Sequence, residues 1–332
     1  MNEERGTKER PRSSSLDPRT LFMFEPSYLK LYREGVLQER ARQAVERLRE
    51  CRLCPRECRV NRLEGEQGVC KTRRKATVSS FGPHYGEESP LVGSHGSGTV
   101  FFSACNLLCT FCQNYDISHL REGAEFKPGK LAAVMLHLAR GGCHNINFVT
   151  PSHVVPQILE ALIPAVEAGL NVPLVYNTGG YDSVETLKLL DGVFDIYMPD
   201  FKFWDNEWAN LFCRADDYRE RAVETLREMH RQVGDLEIDE AGVATRGLLV
   251  RHLVMPGDAA GTKGVMWFLA MEISRNTYVN VMDQYRPCWE AEKNAAINRR
   301  ITRGEYEQAL EQARQAGLYR LDERVRARLA RF

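Results

Sequence analysis

Six short apolar runs alternate with longer amphipathic segments over most of this 332-residue chain, and this alternation restricts the fold more than any other feature. The runs are rich in Val, Ile, Phe and Tyr, as buried parallel strands are. They cover residues 99–103, 146–150, 172–176, 194–198, 248–255 and 278–282. Repeated strand–helix units predict an α/β fold with parallel strands and right-handed crossovers. The pattern alone fits an open doubly wound sheet and a partial barrel equally well.

The segments between and around these runs give further local predictions. Residues 34–50, 131–140 and 157–169 carry apolar positions at helical spacing, and Pro164 predicts a kink or a break in the third. Residues 301–332 are also predicted to be helical. In contrast, the many glycines and prolines between 82 and 98 predict a loop.

The overall composition excludes two classes of partner. The chain has 45 basic and 45 acidic residues, so no net charge draws it to nucleic acid or to an anionic membrane. No apolar stretch approaches the length of a membrane span. Residues 1–17 are polar and lack the apolar core of a secretory signal, which predicts a disordered tail on a cytoplasmic protein.

The ten cysteines are clustered along the sequence. A cytoplasmic chain keeps its thiols reduced, so clustered cysteines indicate metal binding rather than disulfides. The three isolated cysteines, Cys143, Cys213 and Cys288, are interpreted as small buried hydrophobic residues.

One cluster follows the first apolar run directly. Cys105, Cys109 and Cys112 have the spacing C-x3-C-x2-C and are predicted to lie at the C-terminal end of a strand, where parallel α/β folds bind ligands. Three thiolates on one loop can hold three corners of a [4Fe–4S] cluster and leave one iron open to another ligand. A zinc site completed by a distant histidine, or three buried cysteines without metal, are the alternatives.

This loop resembles the motif of the radical S-adenosylmethionine superfamily, with Phe111 in the aromatic position before the third cysteine. The longer string from Cys105 to Asp116, which includes Asn114, is similar to the activating enzymes of glycyl radical enzymes, such as pyruvate formate-lyase activase. The resemblance extends from the N-terminal cysteines to the sixth run. It implies a partial (β/α)6 barrel, a [4Fe–4S] cluster, S-adenosylmethionine, and a low-potential electron donor such as flavodoxin or ferredoxin. The implied reaction is reductive cleavage to methionine and a 5′-deoxyadenosyl radical, which takes hydrogen from a substrate.

The resemblance also implies where the cofactor is held. Segments similar to cofactor-binding strand ends of the activases lie at 176–181, 198–202 and 251–257. Asn177 or Asp200 is expected to bind ribose hydroxyls, and Arg251 to pair with the methionyl carboxylate, while Lys202 completes the second segment. Phe111 is expected to belong to the same site. Ordinary ion-paired side chains at strand ends are the alternative interpretation.

The chain departs from the family after the second run. The Gly-Gly-Glu turn that contacts the methionyl amino group is absent, and residues 149–153 read V-T-P-S-H. Thr150 or backbone carbonyls are the expected substitutes. His153 is interpreted as a structural or mouth-lining residue rather than an iron ligand.

A second cluster precedes the first run. It consists of Cys51, Cys54, Cys58 and Cys70, and four thiolates within twenty residues close a tetrahedral metal site. An auxiliary [4Fe–4S] cluster and a structural zinc or iron site both fit these ligands.

These features divide the chain into four predicted parts: a disordered tail at 1–22, an N-terminal helix and four-cysteine segment at 23–97, a radical S-adenosylmethionine core at 98–290, and a helical extension at 291–332. The predicted function is that of a radical enzyme acting on a glycine of a partner protein, or on an unrelated small molecule or peptide. The open three-cysteine site argues against a non-catalytic iron–sulfur electron carrier. The zero net charge argues against a zinc-ribbon nucleic-acid binder.

Overall fold

The computed structural model describes residues 24–322. The predicted tail at 1–22 lies outside these residues, and so does the end of the predicted C-terminal helix from 323 onward.

The described residues contain nine strands. They are β1 Ala76–His84, β2 Ser97–Phe102, β3 Ala124–Phe126, β4 Ile146–Val149, β5 Leu174–Thr178, β6 Ile196–Pro199, β7 Glu237–Ile238, β8 Ala244–Leu253 and β9 Tyr278–Met282. The order β2-β4-β5-β6-β8-β9 is parallel throughout, which confirms the six predicted strands within a few residues at their ends. Strands β1 and β3 extend the β2 edge in antiparallel pairing, and β7 pairs antiparallel with β8. The sheet of the described chain is not closed, so the fold is an open, partial barrel.

Eleven α-helices accompany the sheet within the described residues. They are α1 Ser27–Arg33, α2 Val36–Glu46, α3 Ser89–Val92, α4 Tyr115–Ser118, α5 Pro128–Arg140, α6 Val155–Glu167, α7 Val184–Lys188, α8 Asn206–Cys213, α9 Tyr218–Val233, α10 Thr262–Phe268 and α11 Arg303–Ala316. The predicted helices at 34–50, 131–140 and 157–169 correspond to α2, α5 and α6. Helix α6 runs through Pro164 as one helix, so the predicted division in two does not occur. None of the helices of residues 24–322 is long and apolar enough to cross a membrane.

The prediction of a loop over 82–98 is wrong at both ends of the segment. Strand β1 continues through Gly82 and Pro83, which pair with Thr99 and Gly98 of β2, and α3 follows. Strand β3 pairs only with residues 76–78 of β1, so Pro83 lies where β1 has β2 as its one strand neighbour. Proline is tolerated within sheets mainly at such edge positions.

The two faces of the parallel strands pack differently. Outward-facing residues such as Phe102, Phe148 and Tyr176 belong to the main core shared with the helices. Inward-facing residues form a smaller cluster, in which Leu91 of α3 packs with Val175 and other strand residues. This inner cluster does not fill the barrel interior. At the C-terminal ends of the strands the interior holds polar side chains such as Asn177, Asp200 and Arg251, and the candidate site lies there.

Candidate functional site

The three-cysteine loop, residues 103–114, connects β2 to α4 at the C-terminal edge of the sheet, as predicted. Ala104 and Leu108 have left-handed backbone conformations, with φ of 73° and 52°, which produce tight turns around Cys105. The Sγ of Cys105 accepts the backbone N–H of Leu107 at 3.3 Å, and Ser118 Oγ donates to Cys112 Sγ at 3.2 Å. Such donors stabilise a sulfur that carries negative charge.

The electrostatics of the loop fit a bound cation. Burial, followed by the neighbouring Cys109 thiol, raises the pKa of Cys105 to about 12. Burial and Cys109 also raise the pKa of Cys112. Without a cation the three thiols therefore stay protonated, whereas iron would stabilise their thiolates. Three thiols on one short loop, with Cys109 buried and Cys105 and Cys112 half-buried, are the donor set that a [4Fe–4S] cluster requires.

Cys213 is buried in the core, as interpreted from the sequence, and it also contacts this loop. Its Sγ lies 3.2 Å from Cys109 Sγ, and this hydrogen bond is the main cause of the raised pKa of Cys109. Cys213 is the last residue of α8, and the loop is also joined to this helix by the hydrogen bond from Thr110 N to Phe212 O. Of the other isolated cysteines, Cys143 is buried and Cys288 is half-buried.

Four of the predicted cofactor-binding residues form one network. Arg251 Nε donates to Asp200 Oδ1 at 2.7 Å, and its NH2 donates to Asn177 Oδ1 at 2.8 Å. Lys202 Nζ forms an ion pair with the other oxygen of Asp200. The network therefore joins the ends of β5, β6 and β8.

The charges of this network are mutually stabilised. Burial would raise the pKa of Asp200, but Arg251 and Lys202 together hold it below its usual value. Burial would lower the pKa of Lys202, but Asp200, followed by Cys109, raises it. The pKa of Arg251 is raised in the same way by Asp200. All three groups are therefore charged near neutral pH.

A glycine allows β5 and β6 to end close together. Gly180 has φ of +76°, and a Cβ atom there would lie 2.1 Å from the carbonyl oxygen of Asp200. A side chain at this position would displace the segment that carries Asp200 and Lys202.

One cavity of about 450 Å³ connects the loop to the network. Cys109, Cys112 and Phe111 line it from the three-cysteine loop, and so do Asn177, Asp200, Lys202 and Arg251. Cys105 is not among the lining residues. Phe111 is buried, and its ring packs edge-to-face against Phe203 and Phe212, which fixes the loop to the core.

The side chains of Thr150 and His153 are placed apart from this network. Thr150 has a left-handed conformation, and its N–H donates to Asn177 O at 2.8 Å. Val149, rather than Thr150, lines the cavity, so the structure does not bring the Thr150 side chain to the other predicted residues. His153 is buried and its Nε2 donates to Ser103 O at 2.9 Å, while burial lowers its pKa to about 4. His153 is therefore a neutral, structural residue.

Two acidic residues of the cavity escaped the sequence analysis. Glu87 and Glu88 precede α3 and are buried, yet both line the cavity. One oxygen of Glu88 accepts from Asn280 Nδ2 at 2.8 Å, and the other has no hydrogen-bond partner in the described structure. Burial raises the pKa of Glu88, although Arg251 opposes this. No local pattern marks these residues, because they reach the cavity only through the packing of α3 inside the barrel.

The four cysteines of the N-terminal cluster also come together. Cys51, Cys54, Cys58 and Cys70 all line one pocket, which also includes Asn106 of the three-cysteine loop and His153. Within residues 24–322, no three or more His, Cys, Asp or Glu side chains are placed so as to hold a single metal ion. The second metal site therefore stays a prediction.

Comparison with known proteins gives one family and several relatives. The family model described as the radical SAM superfamily matches residues 99–245, inside the predicted core. An uncharacterized protein of Methanocaldococcus jannaschii is 33% identical over 303 residues, which cover 89% of this chain and 83% of that protein.

Two solved structures are also similar to part of the chain. The radical S-adenosylmethionine methyltransferase TsrM of Kitasatospora setae, solved with cobalamin and a [4Fe–4S] cluster, has 15% identity and a TM-score of 0.41 over 56% of this chain and 36% of its own. The protein anSMEcpe with bound AdoMet has 12% identity and a TM-score of 0.44 over 64% of this chain and 57% of its own. The chain thus spans less than two thirds of either solved protein.

Proposed function

We propose, from the match of residues 99–245 to the radical SAM superfamily, that the chain cleaves S-adenosylmethionine reductively at a [4Fe–4S] cluster held by Cys105, Cys109 and Cys112. The observation that carries the proposal is that Cys109 and Cys112 open onto the same cavity as the network of Asp200 and Arg251. The expected cofactors, a [4Fe–4S] cluster and S-adenosylmethionine, are those of the superfamily. When bound, the cluster supplies one electron that breaks a carbon–sulfur bond of the cofactor, giving methionine and a radical that removes hydrogen from a substrate.

The residues of the chain bind and orient the cofactor in this proposal. Arg251 is fixed by Asp200 and Asn177 before any ligand arrives, so little side-chain entropy is lost on binding. Its guanidinium is suited to the methionyl carboxylate, and the carboxylate of Asp200 to a ribose hydroxyl. Lys202 stays charged close to Cys109 and favours the anionic, thiolate-bound cluster.

We propose a glycine of a partner protein as the hydrogen donor, with flavodoxin or ferredoxin as the electron source. The support is the activase-like string from Cys105 to Asp116, and Asn114 of this string lines the cavity. A small polar substrate is the second candidate. It is favoured by Glu87 and Glu88, which place two buried carboxyl groups in the same cavity.

Electron paramagnetic resonance of the reduced, anaerobically reconstituted protein tests the chemistry. Adding S-adenosylmethionine should change the [4Fe–4S] signal, and 5′-deoxyadenosine and methionine should accumulate with a low-potential reductant. Replacing Cys105, Cys109 and Cys112 together by Ala should abolish both. Cys143→Ala, which removes a buried thiol away from the site, is the matched control. A correctly reconstituted protein that yields no 5′-deoxyadenosine would overturn the proposal.

The substrate requires a separate experiment. A glycyl radical enzyme encoded beside this gene would be incubated with the reduced enzyme and S-adenosylmethionine, and the mixture examined for a protein-based glycyl radical. If 5′-deoxyadenosine forms and no glycyl radical appears, the glycine proposal is wrong and a small-molecule substrate is favoured.

A further inference from the structure

Two arginines from the four-cysteine segment, residues 51–70, support the first residues of the three-cysteine loop, Arg56 directly and Arg62 through His153. Arg56 lies between Cys54 and Cys58, and its Nε donates to the carbonyl of Asn106 at 2.9 Å. Its NH2 donates to the carbonyl of Cys213 at 2.7 Å. One side chain therefore holds the backbone next to Cys105 and the residue that contacts Cys109.

Further contacts fix the position of Arg56. Its guanidinium lies over the ring of Tyr181, 5.1 Å from the centroid. The backbone carbonyl of Tyr181 accepts a hydrogen bond from Asn106 Nδ2 at 2.7 Å. Asn106 is thus bound both by Arg56 and by the segment that follows β5.

Arg62 supports the first residue of the loop through His153. Its NH1 donates to His153 O at 2.9 Å, and His153 Nε2 donates to Ser103 O at 2.9 Å. Arg62 is only 1% exposed, and its NH1 also lies 3.7 Å from Cys51 Sγ. A buried guanidinium thus connects a thiol of the four-cysteine segment to the residue two positions before Cys105.

The four-cysteine segment has little apolar packing of its own. Its core cluster contains Leu48, Cys51 and Leu53, with Val60 and Leu63 partly buried against it. Three non-glycine residues nearby, Glu57, Arg59 and Lys71, have left-handed conformations, each of which costs on the order of 1 kcal/mol. A segment with a small core and a strained backbone needs another source of stability, such as a bound metal.

The four thiols of the segment lie on one pocket, which Cys51, Cys54, Cys58 and Cys70 all line. The N–H of Val69 donates to Cys58 Sγ at 3.3 Å. A Cβ atom at Gly68 would lie 2.5 Å from the same sulfur, so a residue with a side chain could not bring its backbone this close to the thiol.

We propose that Cys51, Cys54, Cys58 and Cys70 bind a thiolate-ligated metal centre that fixes Arg56 and Arg62, and thereby positions the three-cysteine loop. An iron–sulfur cluster fits the described residues better than a zinc ion, because its thiolates bind separate irons and need not surround one ion. In this arrangement Arg56 is a positioning residue. The inference rests on the proposed function only for the identity of the cluster held by the three-cysteine loop.

Metal analysis tests the centre itself. The variant with Cys105, Cys109 and Cys112 all replaced by Ala should retain one centre per chain, either zinc or iron with sulfide, and the ratio of these elements identifies it. Replacing Cys54 and Cys70 by Ala in that background should remove the centre. If the triple variant is folded but contains neither zinc nor iron, the proposal is wrong. This conclusion does not depend on whether the wild-type protein cleaves S-adenosylmethionine.

The positioning role is tested by a matched pair of arginine variants in the otherwise unaltered protein. Arg56→Gln keeps all four thiols but removes the donors to Asn106 and Cys213. Arg52→Gln is the control, because Arg52 lies as close to Cys54 in sequence but forms its ion pair with Glu50 at the surface. Arg56→Gln should retain the second centre, change the resonance signal of the open cluster and weaken S-adenosylmethionine binding by roughly tenfold, as loss of outer-shell support for metal ligands does. Arg56→Lys, which keeps one donor, should restore part of the affinity.

The outcomes separate the two proposals. If Arg56→Gln and Arg52→Gln both match the wild-type signal and affinity, the positioning role is wrong even when the metal is present. If the wild-type signal does not respond to S-adenosylmethionine while the triple variant retains its centre, the proposed function fails and the metal site stands.

Discussion

The Nε of Arg251 lies 2.7 Å from Oδ1 of Asp200, and this buried ion pair joins β8 to the end of β6. The backbone supports the same junction, since Phe201 N donates to Arg251 O at 2.9 Å. The pair lies in the wall of the cavity next to the three-cysteine loop, so the groups expected to bind the cofactor also hold the strand ends together.

Replacing Arg251 should therefore reduce both binding and stability. Arg251→Ala leaves Asp200 buried with only Lys202 as a cationic partner, and breaking a buried ion pair costs about 3–5 kcal/mol. S-adenosylmethionine binding should weaken by roughly 1.5–3 kcal/mol, the value of a hydrogen bond to a charged group. Urea denaturation and equilibrium binding measure the two effects. Arg227→Gln, which breaks a surface ion pair with Glu272, should change neither. Unchanged cofactor affinity in Arg251→Ala would remove Arg251 from the binding site.

Cys213 should raise the reduction potential of the open cluster without being one of its ligands. Hydrogen bonds to cluster sulfurs raise the reduction potential, so Cys213→Ala should make the midpoint potential of the open cluster more negative while its iron content stays the same. Cys213→Ser keeps a donor near Cys109 Sγ and should restore part of the shift. Redox titration followed by electron paramagnetic resonance measures the potential. A loss of iron in Cys213→Ala would instead indicate that Cys213 is a ligand.

Asp195 should make stability depend on pH. Burial raises its pKa to about 6, Oδ1 accepts from Ser27 N at 3.0 Å, and Oδ2 has no hydrogen-bond partner in the described residues. The folded pKa lies above the unfolded value of about 3.9, so the native state binds more protons between these values and loses stability as the pH rises through about 6. Asp195→Asn stays neutral, so its stability relative to wild type should increase by up to roughly 3 kcal/mol from pH 4 to pH 7. Urea midpoints of both proteins across this range provide the test, and a constant difference would contradict it.

The capping box at the N-terminus of α11 should contribute to the stability of the protein. Thr302 Oγ1 accepts the N–H of Glu305 at 3.2 Å, and the Glu305 side chain accepts the N–H of Thr302 at 2.7 Å. Thr302→Ala should lower the free energy of unfolding by about 1 kcal/mol. Thr245→Ala is the control, because Thr245 is half-buried on β8 and its hydroxyl makes only a long hydrogen bond, 3.5 Å, to Glu237 O. Equal urea midpoints for the two variants would show that the cap does not contribute.

The sequence was sufficient for the features that depend on local pattern. Apolar runs gave the six parallel strands, and the position of Cys105, Cys109 and Cys112 after the first run placed the loop at the C-terminal edge of the sheet. Asn177, Asp200, Lys202 and Arg251 converge as expected, because the C-terminal ends of parallel strands meet at one edge. The two ends of the predicted loop at 82–98 were predicted wrongly, because pairing between β1 and β2 outweighs the local preference of glycine and proline for loops.

Only the tertiary structure decided which distant residues support the site. Cys213 is 104 positions from Cys109, and Arg56 is 157 positions from Cys213, so no local period relates them. Glu88 enters the cavity because α3 packs inside the barrel, and Val149 rather than Thr150 lines the cavity. The sequence by itself determined the strands and the cysteine loop, since side-chain alternation and ligand spacing act over a few residues. The neighbours of that loop were decided by how helices and connecting segments pack across the sheet, which depends on the whole chain.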